Sequence, residues 1–369
     1  MVQKPFDIEK ICNHFSLNGE FTGYEKSNNG HINSTYMLIF EENGKVKKYV
    51  LQKINTVVFK DPDKLMSNIV AVTSHIRKKN EEMNIPWTDR GTLTFIPCKD
   101  GKYYYVDDND NCWRVYGYIG DVYTCNAIDC AEVFENAGVA FGEFQKILAD
   151  FDGASLHETI ENFHNTVSRF ADFKKAIDDN KSGRLDTVKD EVEFAIAREP
   201  DTHILVDMIA EGKLPLRVTH NDTKLNNILF DNVSDKGICI IDLDTVMPGL
   251  SLYDFGDSIR FGANTAAEDE KDVSKVSLSL ELYEAYVKGY LSSAKDALTD
   301  LEKELLPFGA KIMTYECGIR FLMDYLNGDV YFHTEYPEHN LVRARTQFAL
   351  VADIEKKMDK MLEITKKYC

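Results

Sequence analysis

What this sequence lacks narrows its class before any motif is read. Its eight cysteines, at 12, 98, 112, 125, 130, 239, 317 and 369, include no Cys-x-x-Cys pair and no paired spacing. That argues against a zinc site or a disulfide frame and for reduced thiols in a cytoplasmic protein. No apolar run approaches the length of a membrane span, and the opening MVQKPFDIEK carries no apolar signal region, so the expected compartment is the cytosol, with no membrane partner. Positive charge is scarce: 43 Lys and Arg against 61 Asp and Glu leave a net charge of −18. A general nucleic-acid or acidic-membrane binder is thereby disfavoured. A single anionic nucleotide is not, because a local cluster of donors and a divalent cation decides that. Internal repeats and low-complexity segments are also missing. What remains is an ordinary globular composition, 44% hydrophobic over 369 residues, long enough to bury a large core in two lobes.

The chemistry concentrates in one stretch, Arg217 to Pro248, RVTHNDTKLNNILFDNVSDKGICIIDLDTVMP. A polar cluster (His220, Asn221, Asp222, Lys224, Asn227) runs into the apolar Ile228, Leu229 and Phe230. Turn-forming residues from Asp231 to Gly237 follow, and a second apolar run, Ile238 to Ile241, delivers Asp242 and Asp244. Two short strands joined by a turn would bring Asp222, Asn227 and Asp242 into one site. His-x-Asp-x-Lys-x-x-Asn followed by an apolar strand ending in Asp is the pattern of kinase catalytic loops. Phosphoryl transfer needs positioning and charge neutralisation more than covalent chemistry. Asp222 is placed to take the proton of an acceptor hydroxyl, and Lys224 to meet charge on the transferred group. Asn227 and Asp242 offer hard oxygens suited to Mg2+. Asp244 is either a second metal contact or an anchor for the loop. His220 reads as a structural histidine. A competing motif overlaps: Ile240 to Val246 fits the apolar-Asp-x-Asp-x-Val nucleophile signature of haloacid-dehalogenase-type phosphatases. That reading leaves Asp222 to Asn227 unexplained, and Gly256-Asp257 lacks the later Asp its metal site needs.

Upstream, residues 5 to 15 read as a short helix, and two strands flank a polar loop containing Gly30, His31 and Ile32. Gly30 and His31 would lie over phosphates there, although Gly-x-Gly-x-x-Gly is absent. A third strand, Lys48 to Ile54, ends near Lys53, the candidate phosphate-pairing lysine. Asp61-Pro62 caps a helix to about Lys79, but Lys64 to Lys79 holds no acid to pair with that lysine, only Ser67 and Asn68 at its middle. Further strands are expected at Thr92 to Pro97, Tyr103 to Val106 and Trp113 to Ile119. The last, with Tyr116 and Tyr118, would form the hinge that meets adenine, placing a boundary near residue 120: a nucleotide-binding lobe at 1–119 and a catalytic, acceptor-binding lobe at 120–369. Beyond it the pattern is helical. Val133, Phe134, Ala137, Phe141, Phe144, Leu148 and Phe151 mark one buried face. Helices are expected from Asp254, over roughly 267–295 and 300–326, and at the C-terminus. The fold class is α+β, bilobal and protein-kinase-like.

On VTHNDTKLNNILFD and IDLDTVMPG the chain resembles the aminoglycoside phosphotransferase/choline kinase family of small-molecule kinases. Nothing like the Ala-Pro-Glu motif and activation loop of protein kinases follows Asp242, which favours a small acceptor. Within the family it is more similar to the N-acetylhexosamine 1-kinases, on GHINSTY, VLQKINTVVF, WRVYGYI, YDFGDSIRFGAN and YECGIRFLMDYLNGDVYF. The resemblance implies ATP and Mg2+ as cofactors and the anomeric hydroxyl of GlcNAc or GalNAc as acceptor. It makes Asp222 the base, gives the metal to Asn227 and Asp242, and turns Phe261, Arg320 and Tyr331 towards the sugar, with Ile32 contacting it from the small lobe. A forked donor and a stacking ring suit a polyhydroxylated, N-acetylated sugar. Two alternatives stay open. One is another small acceptor such as an aminoglycoside, choline or homoserine. The other is a nucleotide-binding regulator without turnover, suggested by the missing helix acid.

Overall fold

The structure is a computed structural model, and it describes residues 6–27, 33–87, 89–125, 128 and 130–369. After a short helix α1 (Ile8–Cys12) come β1 (Glu20–Ser27), β2 (Ser34–Glu42), β3 (Lys45–Ile54), helix α2 (Pro62–Glu82), β4 (Tyr105–Val106) and β5 (Cys112–Gly117). The strands form one antiparallel sheet in the order β1-β2-β3-β5-β4. Alternation along β3 and β5 gives the sheet two different faces. Tyr49, Leu51, Trp113 and Val115 share a small core with Ile8, Ile11 and Phe15 on one side. Ile54 and Cys112, on the other, join the main core.

That main core takes in α2 as well as the large lobe, since Leu65, Ile69 and Val72 are buried in the same cluster as the C-terminal helices. Asp61 starts α2 as expected, its carboxylate accepting the Lys64 N–H at 3.1 Å, with Pro62 in the first turn. The large lobe then runs β6 (Val122–Tyr123), α3 (Ala131–Ile147), α4 (Thr166–Asp179), α5 (Lys189–Ile196), α6 (Asp201–Ala210), β7 (Arg217–Thr219), β8 (Ile228–Asp231), β9 (Gly237–Ile240), β10 (Met247–Gly249), α7 (Ser251–Gly262), α8 (Leu280–Ala294), α9 (Asp300–Asn327) and α10 (His339–Tyr368). The expected α+β architecture, a small β-rich lobe and a large helical one, is what the chain adopts.

Two element readings are corrected. Thr92 to Pro97 is not a strand. It makes only an isolated bridge, Phe95 to Tyr116, flanked by Ile96 N–H to Val115 O at 2.8 Å and Gly117 N–H to Thr94 O at 2.9 Å. Pro97 has no N–H with which to continue the ladder. Residues 267–279 are not α-helical either, holding only one 3-10 turn, Val273–Lys275. Asp272 accepts from the Ser274 N–H and hydroxyl, closing a local turn, and the Ser279 hydroxyl caps α8 at Leu282 N–H. Short polar side chains have here outcompeted the helix for backbone groups.

The contact that positions the site is α3 against α8, which meet through glycines. A Cβ on Gly289 would lie 2.0 Å from Glu135 O, and one on Gly138 would lie 2.5 Å from Tyr286 O. The approach orients α3, whose Phe141 and Phe144 pack edge-on against the His220 ring. Ordinarily Gly→Ala within a helix gains about 1 kcal/mol. At Gly289 the clash is with backbone, so the helices must separate, at an overpacking cost of about 1–3 kcal/mol. We expect Gly289→Ala to lower the melting midpoint despite its better helix propensity; an unchanged or higher midpoint would show that the helices can part freely.

Candidate active site

The β8–β9 hairpin is closed by Asp231, whose carboxylate accepts the Ser234 N–H and hydroxyl at 3.0 and 2.9 Å. Its register pairs Ile228 with Ile240, and the Ile241 N–H then donates to Asn227 O at 2.9 Å. Asp242, the next residue, therefore lies beside Asn227. The Asn227 amide donates to Asp222 O at 2.8 Å and to Asp222 Oδ2 at 3.3 Å, and the Lys224 ammonium stands 2.9 Å from Asp222 Oδ1. Four expected site residues, Asp222, Lys224, Asn227 and Asp242, are thus brought together. Asn221 and Asp242 have positive φ (62° and 59°), a conformation these two residue types tolerate best after glycine.

The loop is held from beneath. His220, fully buried, accepts the Asp222 N–H at Nδ1 (3.2 Å), so its proton sits on Nε2, which donates to Ile241 O at 2.8 Å. The ring ties the Asp222 loop to the segment that carries Asp242. Asp254 on the first turn of α7 accepts the backbone N–H groups of His220 and Asn221, both at 2.8 Å, and the Gln145 amide at 3.1 Å. Thr223 bonds Asp254 O through its hydroxyl and Asp257 through its N–H. Burial pushes the Asp254 carboxyl up. Asp257 is also deeply buried, but Arg260 and Lys224 outweigh that and hold it below the usual carboxylate range. Sequence reasoning placed only a helix here; the signal was the i, i+3 spacing of Asp254, Asp257 and Arg260 on one helix face.

On the small-lobe side Asp244 is an anchor. One oxygen accepts from Arg114 of β5, and the other from the Asn33 amide at 2.6 Å. Lys53 is not brought to this cluster. It is paired across the sheet with Trp113 and shares that residue's face, its ammonium 3.3 Å from Asn111 Oδ1 and over the Phe6 ring. The cleft face of β3 shows Gln52 instead, opposite Arg114. Tyr116 lies on that cleft face against Phe95, its phenol pushed up by burial and by the charges of Asp242 and Asp244. Tyr118 is exposed and bonds Lys48 O through its N–H. Gly30, His31 and Ile32 lie outside the described residues.

The expected acceptor residues form a second group. Arg320 sits among the rings of Phe163, Tyr331 and Phe332, 5.6–6.0 Å from each centroid, with Glu316 at 3.7 Å. Tyr331 is mostly exposed and Phe261 half-buried. Cys317, on the same helix as Arg320, has its thiol pushed up by burial.

The donor set fits a hard divalent cation. Asn227 Oδ1 and the Asp242 carboxylate take no hydrogen bond among the described residues, and both are oxygens. Asp242 keeps an edge open to the cleft, yet surrounding protein strips its hydration, and with Asp244 and Asp222 nearby its carboxyl is pushed up to about 6. The folded state therefore holds a proton more tightly than the unfolded chain, and without metal it is destabilised by this charge above pH 6, a penalty relieved as pH falls through 6 towards 4. In chelator, Asp242→Asn should melt higher than wild type at pH 8, with the gap closing towards pH 4. A gap that stayed constant with pH would refute this electrostatic account.

The sequence profile of the phosphotransferase enzyme family (APH) matches residues 25–301. Among solved structures the chain is similar to an aminoglycoside phosphotransferase from Alicyclobacillus acidocaldarius, with a TM-score of 0.61 and 12% identity over 99% of this chain and 97% of that one. It is also similar to a microcompartment-associated aminopropanol kinase (TM-score 0.56, 15% identity, 96% and 97% covered). A third likeness is to a choline kinase from Cryptosporidium parvum (TM-score 0.54, 12% identity, 98% of each chain). These structures share the bilobal, protein-kinase-like fold. With a sequence match spanning both lobes and the loop built around Asp222, the chain belongs to the phosphotransferase enzyme family, APH.

Proposed function

We propose that this phosphotransferase uses ATP and Mg2+ to phosphorylate the anomeric hydroxyl of an N-acetylhexosamine, GlcNAc or GalNAc, giving the sugar 1-phosphate. The observation that carries the reading is the Asp222 carboxylate, partly open to the cleft and fixed between Lys224 and Asn227. Asp222 orients the acceptor hydroxyl and takes its proton. An anomeric hydroxyl is more acidic than an ordinary alcohol, so the demand on this base is modest. Lys224 stays protonated: burial works against its charge, but Asp222 more than offsets this, leaving an ammonium beside the transferred group. Asn227 and Asp242 would hold the metal. Bound Mg-ATP supplies the phosphoryl group and the charge neutralisation its transfer requires.

Charge on the acceptor side supports a neutral sugar over a cationic acceptor. Arg320 lies near Arg169, whose guanidinium is pushed down by burial and then by Arg320, with the buried Glu316, 3.7 Å from Arg320 and hydrogen-bonded to His164 at 3.0 Å, and Asp172 acting against this. Arg260 is committed to Asp257 and Glu268. A choline or aminoglycoside cation would meet these guanidiniums, whereas ring hydroxyls and an N-acetyl carbonyl accept hydrogen bonds from them. Arg320 and Tyr331, with Phe261 and Ile32, would contact the sugar. Tyr116, Tyr118, Gly30 and His31 would contact the nucleotide.

The test is turnover of Mg-ATP on GlcNAc and GalNAc, with phosphorus NMR locating phosphate on C1. Asp222→Asn should lower kcat by at least roughly 10²-fold, the scale for losing a positioned base, without change in circular dichroism. Arg320→Ala should raise the sugar KM while leaving that for ATP unchanged. Turnover confined to choline or kanamycin would keep the transfer chemistry and discard the sugar. Nucleotide binding with no turnover on any acceptor would favour the regulator.

A further inference from the structure

The segment 242–246, which carries the proposed metal ligand, is gripped from the small-lobe side by three side chains. Asn33 donates to Asp244 Oδ2 at 2.6 Å while its own oxygen accepts the Asn55 N–H at 3.0 Å. Arg114 donates to Asp244 Oδ1, and its other edge is fixed by Gln52 Oε1, 3.0 Å from Nε and 2.7 Å from Nη2. Asn68, at the middle of α2, donates to Val246 O at 3.0 Å and brackets His157, donating to its carbonyl at 2.7 Å and accepting its N–H at 2.8 Å. Arg114, Asp244 and Asn68 are each at least 96% buried, so these bonds are shielded from water and salt.

In protein kinases the lysine of the third strand and a glutamate of the following helix pair with each other to set the nucleotide site. Here β3 turns Lys53 to the far face and α2 carries Asn68. Both elements act instead on the segment after Asp242, β3 indirectly, through Gln52 holding Arg114 of β5, and α2 through Asn68. Asp244 has both oxygens occupied, one by Arg114 and one by Asn33, and is two residues from Asp242, so these bonds restrain the backbone that carries Asp242. We infer that Arg114 is a positioning residue: through Asp244 it fixes Asp242 for the metal, and so governs the affinity for metal-bound nucleotide. The inference rests on the reading of Asp242 as a metal ligand. Partners one shell out from a metal typically change its affinity by about 10–100-fold when altered.

Calorimetric titration of ADP into the full-length protein, with excess Mg2+ or with chelator, tests this. Arg114→Lys keeps the charge but loses the two-edged fork. It should weaken ADP binding about 10–100-fold with Mg2+ and less than about 2-fold in chelator. Gln52→Ala, which leaves the ion pair intact, should show a smaller loss in the same Mg2+-dependent sense, and it serves if Arg114→Lys does not fold. Equal losses with and without Mg2+ would mean a merely structural role and overturn the inference, as would no loss at all. Asp242→Ala separates the two levels. If it abolishes the Mg2+ enhancement and Arg114→Lys leaves it intact, only the positioning role is lost. If Asp242→Ala itself leaves the enhancement intact, the metal-ligand reading fails with it.

Discussion

Asp254 sits on the first turn of α7 with its carboxylate buried, and it accepts hydrogen bonds from two consecutive backbone N–H groups, those of His220 and Asn221. Consecutive N–H groups of a strand point to opposite sides, so they converge on one carboxylate here because the chain leaves β7 before the strand pair that follows. Without that acceptor both would be buried and unpaired, at about 1–3 kcal/mol each. The loop around Asp222 has no ladder of its own, so its shape is borrowed from α7. Helix α3 supports the same arrangement from the other side, through Gln145 on Asp254 and two phenylalanines on His220.

Fixing the loop creates an electrostatic problem that the remaining contacts answer. Asp222, Asp242 and Asp244 are gathered where water is partly excluded, and the Asp242 carboxyl is pushed up first by burial and then by Asp244 and Asp222. Two of the three have a cation: Lys224 on Asp222 and Arg114 on Asp244. Asp242 has none among the described residues, and it is the one with an edge open to the cleft. A site that compensates two carboxylates and leaves the third without a cation would suit a divalent metal ion there, in keeping with the proposed function.

The hairpin and its polar residues could be read from the sequence because their spacing is local: turn chemistry and strand register place Asn227 beside Asp242 with little help from the rest of the chain. The buried face of α3 was legible for the same reason, as a helical period of large side chains. The face that Lys53 takes was not legible. Side chains alternate along a strand, and whether residue 52 or 53 looks into the cleft depends on pairing with β5 and on α1 filling the far side. The role of Asp244 was equally undecidable, because its partners, Asn33 and Arg114, lie 211 and 130 residues away. The helix expected over roughly 267–295 begins only at Leu280, because Asp272 makes a turn and Ser279 the cap.

The central claim is that two loops, one pinned by α7 and one gripped from the small-lobe side, present Asp222, Asn227 and Asp242 as a single phosphoryl-transfer site. A crystal structure of the protein with Mg2+ and ADP tests it most directly. The account predicts the metal on Asn227 Oδ1 and the Asp242 carboxylate, with Asp244 still held by Arg114 and Asn33 and Asp222 facing the phosphates across the cleft. A metal bound by Asp244 with Arg114 released, or a nucleotide placed away from Asp222, would contradict it.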